Sequence, residues 1–252
     1  MRIGIEEIKD YIRCPIRYKF KHVDYIPISM DPDEYYRDCL KLTIFFYYFC
    51  IMEKKANLFD VLLRKWESLW FNKDISKDFN EDYLRHKSSE AITYLTDFYK
   101  RVAAENVTPI AVNFPYEAVL PGEENIHVIG TIDLIRVIND QTKHRETQLV
   151  DFSTARYPLT DFLLKNDISL SVASYVFRKT FKIKEDRIKI IGVSRKTDMT
   201  TSRNGADFIR AEKIIRNICK GIKNKVYYPV PNNINCSYCK YKVFCINEKS
   251  LT

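Results

Sequence analysis

Apolar and polar positions fall into two textures along this chain, and the change comes near residue 106. Before it, apolar residues recur at three- and four-residue spacing, the period of an amphipathic helix. Residues 3–22 predict a helix with Ile5, Ile8, Tyr11 and Ile12 on one face. Pro15 disfavours helical backbone at Cys14, so a break is expected there that turns the thiol out of the helix line. Acidic residues at 31–34 mark the next helix start, where they face the positive end of the dipole. Helical patterning follows to about residue 54, then over 59–71 and 82–105. The most apolar run, 42–52, is too short to span a membrane and reads as a buried helix.

After residue 106 the texture is β-like. Residues 109–120, 126–138 and 146–153 predict three strands in a meander, separated by polar turns at 121–125 and 139–145. A helix over 159–181, a strand over 187–195 and a helix over 206–223 follow. This order predicts an α/β protein: a three-stranded meander, a helix and a further strand, with helices on both faces of a short sheet. We expect one domain over 1–252, with a helical part (1–106), an α/β core (107–226) and a cysteine-bearing segment (227–252).

Composition narrows the picture. A chain of 252 residues that is 46% hydrophobic can bury a sizeable core, which argues against disorder. The net charge of +8 favours a polyanionic partner, nucleic acid first, although a merely soluble basic protein fits the charge equally well. Residues 178–225 hold fifteen Lys/Arg against five Asp/Glu. Lys196 and Arg203 fall in an expected loop near Gly205 and, with Arg195 at the end of the expected strand and Arg156, are the phosphate-contact candidates. Tyr227, Tyr228, Tyr238, Tyr241 and Phe244 come next. They suit either base stacking on single-stranded or frayed DNA or packing around the cysteines, and packing is the simpler reading.

Seven cysteines is an odd count, and the first residues are charged and amphipathic rather than a signal peptide. Thiols in a reducing, cytoplasmic setting that bind a metal are therefore expected over a disulfide framework. Cys39, Cys50 and Cys219 sit among apolar residues and read as core thiols. Cys236, Cys239 and Cys245 have the spacing C-x2-C-x5-C, and Cys14 is the distant fourth candidate. Four thiolates can hold zinc or an iron–sulfur cluster, and free thiols are the remaining reading.

Two carboxylates could carry chemistry: Asp133 in the second expected strand and Asp151 at the end of the third. Adjacent antiparallel strands bring such groups close, and a hard divalent cation relieves their repulsion. Glu117 on the preceding strand could be a third ligand. Turn or capping roles are the ordinary alternative for acids at strand ends.

Gly130-Thr-Ile-Asp133 followed by Asp151-Phe-Ser153-Thr154 resembles the Gly-x-x-Asp and Asp-x-Lys-Thr signature of the PD-(D/E)XK nuclease superfamily in its RecB-like branch. Cys14-Pro15-x-x-Tyr18-x-Phe20, the lead-in Tyr227 to Pro231 and the three late cysteines resemble the iron–sulfur subgroup of that branch. The resemblance implies a restriction-endonuclease-like core and a [4Fe–4S] cluster on Cys14, Cys236, Cys239 and Cys245. It also implies Mg²⁺ or Mn²⁺ at the carboxylates, and DNA as substrate. Three positions depart from the pattern. Ser153 stands at the lysine. Tyr175 is kept on the following helix, but Ser171 replaces the family's glutamine. The upstream Gly-x-x-x-His has no clear counterpart. Serine cannot supply the charge that positions water and stabilises the phosphate transition state. The expectation is thus a DNA-binding subunit that cuts little or not at all, in replication, recombination or transcription. Alternatives are an active exonuclease with a relocated cation, Lys165 or Arg156, and a protein-interaction scaffold that has lost DNA.

Overall fold

The computed structural model describes residues 1–72, 74, 77, 79–120, 125–139, 145–154, 160–194 and 197–248. In chain order, β1 (Arg2–Gly4) leads into α1 (Ile5–Arg13), α2 (Pro15–Tyr18) and a π-helical turn (Lys19–Val23). Three longer helices follow: α3 (Pro32–Met52), α4 (Leu58–Trp70) and α5 (Glu81–Ala103). The strands β2 (Val107–Leu120), β3 (Ile126–Asn139) and β4 (Arg145–Ser153) come next, then α6 (Asp161–Asn166) and α7 (Ile168–Phe181). After these stand β5 (Arg187–Gly192), β6 (Met199–Thr201), α8 (Gly205–Lys223), α9 (Asn233–Ser237) and α10 (Lys242–Glu248). This is the expected mixed α/β architecture, with a helical N-terminal part and a mixed sheet.

The chain folds into two compact units: Met30–Pro115 with Thr131–Arg203, and Met1–Ser29 with Tyr116–Gly130 and Asn204–Thr252. In the first, β3 pairs antiparallel with β4, from Leu134 opposite Val150 to Asn139 opposite Arg145. β4 runs parallel to β5, with Ser153 opposite Gly192, and β5 pairs antiparallel with β6. A parallel β4–β5 pair needs a crossover, and α6 and α7 supply it. The sequence reads 159–181 as one helix. Asp167 divides it, because its carboxylate accepts the Leu170 N–H and caps α7.

The face of this sheet carrying Leu134, Val150, Phe152, Ile191 and Val193 is covered by α3, α4 and α5 in one core. Trp66 and Trp70 stack within it, their ring centres 5.4 Å apart, and Tyr48 stacks on Phe152 at 5.6 Å. Asp31 caps α3 by accepting the Asp33 N–H, and Pro32 occupies the first turn, where a missing N–H costs nothing. Cys39 and Cys50 are buried in this unit. Burial pushes the Cys39 thiol up to about 11.

In the second unit, β1 pairs parallel with the start of β3, Ile3 opposite Val128. Three residues show no period, so this strand is invisible to pattern reading. The helix breaks where Pro15 predicts: α1 ends at Arg13, Cys14 is extended, and α2 begins at Pro15. Ile5, Ile8 and Tyr11 are buried, whereas Ile12, in the last turn of α1, is exposed. A Cβ at Gly221 would collide with the Tyr11 hydroxyl, so glycine lets α1 and α8 approach closely.

Candidate functional site

The carboxylate site lies in the unit of α3 and β3–β6. The β3–β4 ladder closes at Leu134 opposite Val150, and Asp133 and Asp151 are the next residues of the two strands. Beyond the ladder the Phe152 N–H donates to Asp133 Oδ2 at 2.9 Å. The same oxygen receives the Lys41 ammonium at 2.8 Å. Lys41 stands on α3, next to the core residue Leu40, and α3's packing on the sheet delivers it there. Asp133 is 5% exposed, so its charge is matched by a fixed lysine instead of by water. The sequence reading assigned nothing to Lys41. The one available signal was a lysine within the largely apolar stretch Cys39 to Cys50.

Asp151 and Ser153 are half-buried, and the Ser153 carbonyl accepts the Val193 N–H at 2.9 Å. A cavity of about 220 Å³ is lined by Thr154, Ser194, Arg37, Tyr94, Asp33 and Glu90. Its acids have donors of their own: Tyr83 on Asp33, and Tyr94 and Lys87 on Glu90.

Ser171, at the family's glutamine position, is buried and accepts the Arg203 Nε–H at 2.9 Å. Tyr175 is half-buried, with Lys179 over its ring at 5.6 Å, and Lys165 is exposed on α6. Arg203 is 2% exposed. Its guanidinium also donates to Thr201 and to the carbonyls of Leu164, Asp167 and Ser202, so it ties the start of α7 to the β6 end. Arg156, Arg195 and Lys196 lie outside the described residues.

Mg²⁺ requires near-octahedral oxygen ligation at short range. With an ammonium and an amide on Oδ2, Lys41 already supplies positive charge where a divalent cation shared by Asp133 and Asp151 would bring it. Glu117, in the other unit, is held by Arg2 at 3.2 Å and by His127. The His127 hydrogen bond, opposed by desolvation and helped by Arg2, keeps the Glu117 carboxyl below its ordinary value.

The cysteine site lies in the unit of α1 and α8–α10. Cys14, Cys239 and Cys245 pack against one apolar cluster of Ile16, Phe20 and Tyr241. The two segments are stitched by Ile16 N–H to Tyr228 O at 3.2 Å, Tyr11 Oη to Val226 O at 2.7 Å and Asn235 Nδ2 to Arg13 O at 3.3 Å. Cys14 Sγ accepts the Val230 N–H at 3.4 Å, the kind of contact that tunes a metal-bound thiolate. Cys239 N–H donates to Cys236 O at 3.4 Å, which closes a turn between those two thiols. All four are partly exposed, while Cys39, Cys50 and Cys219 are buried. Among the described residues no three His, Cys, Asp or Glu donors already converge as a bound ion would require. Cys14, Cys239 and Cys245 share that apolar seat, and Cys236 is joined to Cys239 through the turn.

Asp10 anchors the Cys14 segment. It is buried and faces Arg17, Lys21 and His22. Burial alone raises its carboxyl, but the Lys21 and His22 hydrogen bonds and the Arg17 charge outweigh that and hold it below the ordinary value.

A mixed sheet with an acidic pair on adjacent strands, backed by helices, defines a protein built like a restriction endonuclease. The chain belongs to the PD-(D/E)XK nuclease superfamily, whose sequence profile matches residues 2–246. Among solved structures, one titled "Crystal structure of SSO0001" is similar over 97% of this chain and 85% of its own, at 11% identity and a TM-score of 0.43. No curated protein matches the chain at a significant level. Among the described residues no helix is long and apolar enough to cross a membrane.

Proposed function

We propose that this nuclease-fold chain binds DNA without cutting it, as a subunit of a larger assembly in replication, recombination or transcription. The observation that carries this reading is the Lys41–Asp133 ion pair. A metal-dependent nuclease of this fold uses its carboxylates to hold a cation that polarises the phosphate and activates water. In this reading one carboxylate is matched by an ammonium, which cannot coordinate phosphate and water oxygens together as a metal ion does, and Ser153 stands where the family has lysine. The basic surface, +8 overall, remains to hold a phosphate backbone.

Cys14, Cys236, Cys239 and Cys245 would hold a [4Fe–4S] cluster, as in the iron–sulfur RecB-like branch, with zinc as the alternative. In this reading the centre is a structural staple between α1–α2 and α9–α10. A brown, iron-containing protein supports the cluster, and a colourless one with stoichiometric zinc supports the alternative.

The test is a cleavage assay on labelled single-stranded and frayed duplex DNA, with metal-loaded protein and Mg²⁺ or Mn²⁺. The expected result is salt-sensitive binding and no products. Robust products abolished by Asp133→Ala would overturn the reading. A second reading draws on the same ion pair: Lys41 is the relocated catalytic lysine of an active exonuclease using Asp133 and Asp151. In that case Lys41→Ala abolishes cleavage as completely as Asp133→Ala. Absence of any DNA binding would leave the protein-scaffold alternative.

A further inference from the structure

One side of α3 covers the sheet, and another faces solvent. Between Asp38 and Glu53 three of its residues are exposed, and all three are apolar: Leu42 (47%), Phe49 (48%) and Met52 (41%). Phe45 is half-buried and packs on Phe152. Phe46 is half-buried, with the Lys55 and Lys65 ammoniums over its ring at 5.8 and 5.1 Å. Leu42, Phe45, Phe49 and Met52 recur at spacings of three, four and three, the seam of a coiled coil. The outward face of a helix is ordinarily polar, so an apolar seam there marks a contact surface. Its two ends differ in sign. Glu34 and Asp38 are exposed before it, and Lys54 and Lys55 are exposed after it, beyond Glu53. Neither lysine forms an ion pair among the described residues, although Lys55 lies on the Phe46 ring. At Asp38, partial desolvation and the neighbouring Glu34 outweigh Arg37 and Lys41 and raise the carboxyl.

We propose that this stripe of α3 docks on the same stripe of a second copy of the chain, as an antiparallel helix pair in a two-fold dimer. A two-fold contact uses one patch twice, so the patch must complement itself. With the axis at the height of Tyr47, Leu42 stands level with Met52 of the partner subunit, and Phe45 with Phe49 of the partner subunit. Asp38 then comes level with the partner's Lys54 and Lys55, and the same pairing recurs at the other end. A parallel pair would set Asp38 on Asp38 and lysine on lysine, and like charges along a seam select against that pairing. A partner of one sign of charge would be matched at one end of the stripe, whereas a second copy is matched at both. The inference is independent of whether the chain binds or cuts DNA.

The experiment is sedimentation velocity of the full chain over a range of micromolar concentrations. The expected result is a concentration-dependent rise to twice the mass of the chain. Leu42→Ser/Phe49→Ser removes the apolar side chains from both copies and should weaken association by roughly 100-fold or more. Asp38→Lys and, separately, Lys54→Glu/Lys55→Glu set like charges at both ends and should each weaken the homodimer by roughly 5–30-fold. Mixed in equal amounts, these two charge variants should form a heterodimer as tight as the wild-type dimer, because each end then pairs opposite signs. Every variant is first shown to keep the wild-type circular dichroism spectrum; if Leu42→Ser/Phe49→Ser loses it, the mixture of charge variants decides. A wild type that stays monomeric, a dimer indifferent to Leu42→Ser/Phe49→Ser, or charge variants that do not recover on mixing overturns the proposal. A monomer that co-sediments with vesicles of phosphatidylcholine and phosphatidylserine gives the stripe to a lipid surface and overturns the choice of a second copy.

Discussion

Exchanging Lys41 for methionine keeps the length of the side chain and removes its charge. The carboxylate left behind is 5% exposed and retains the Phe152 N–H. At the observed 2.8 Å the gross attraction is about 6 kcal/mol for an effective dielectric of about 20. Desolvation of both groups offsets much of it. Breaking a fully buried pair costs about 3–5 kcal/mol. Lys41 keeps 34% of its side chain in solvent, so we expect a loss of roughly 2–3 kcal/mol. For a chain of this size that lowers the melting temperature by roughly 4–12 °C. Thermal unfolding followed by circular dichroism, with EDTA present, reads the change. Asp133→Asn alone should also destabilise, since it strands the ammonium. The double variant should recover more than about 1 kcal/mol relative to the sum of the two. A Lys41→Met protein within about 0.5 kcal/mol of wild type, or additive single changes, would refute the claim that Lys41 balances the buried Asp133 charge.

Other outcomes follow from the same geometry. A Cβ on Gly130 would lie 2.6 Å from the Tyr116 hydroxyl and 3.1 Å from Ile5, so Gly130→Ala should cost about 1–3 kcal/mol in urea unfolding, and adding Tyr116→Phe should relieve part of it. Arg203→Ala should lower stability by about 3 kcal/mol or more, while the salt dependence of DNA binding stays unchanged, because its guanidinium bonds five protein oxygens. Burial raises the thiols of Cys39, Cys50 and Cys219, so after metal removal iodoacetamide near pH 8 should label only four of the seven cysteines. Cys39 also makes the fold alkali-sensitive. The unfolded thiol ionises near 9.0 and the folded one near 11, so the folded state holds the extra proton and stability falls as pH rises through that window.

The sheet was legible because its strands are runs rich in apolar and β-branched residues bounded by turn residues: the expected 126–138 and 146–153 are within a residue of β3 and β4. The break at Cys14 was legible because proline restricts its predecessor. Other features were hidden for physical reasons. β1 and β6 are three residues each, too short to show a period. The Asp167 cap looks the same in sequence as any mid-helix aspartate. Lys41 meets Asp133 across ninety-two positions, through the docking of a helix on a sheet, and no local pattern encodes that. Arg203 reads as an exposed loop cation until its carbonyl and hydroxyl partners surround it.

Resident charge at the carboxylates is the claim on which the non-cutting reading stands, and a Mn²⁺ titration followed by electron paramagnetic resonance measures it directly. Wild-type protein should leave the free Mn²⁺ signal unreduced by any site that depends on Asp133. Lys41→Ala should gain one site, lost again when Asp133→Asn is added. A wild-type chain that takes up Mn²⁺, and ceases to on Asp133→Asn, would contradict the account.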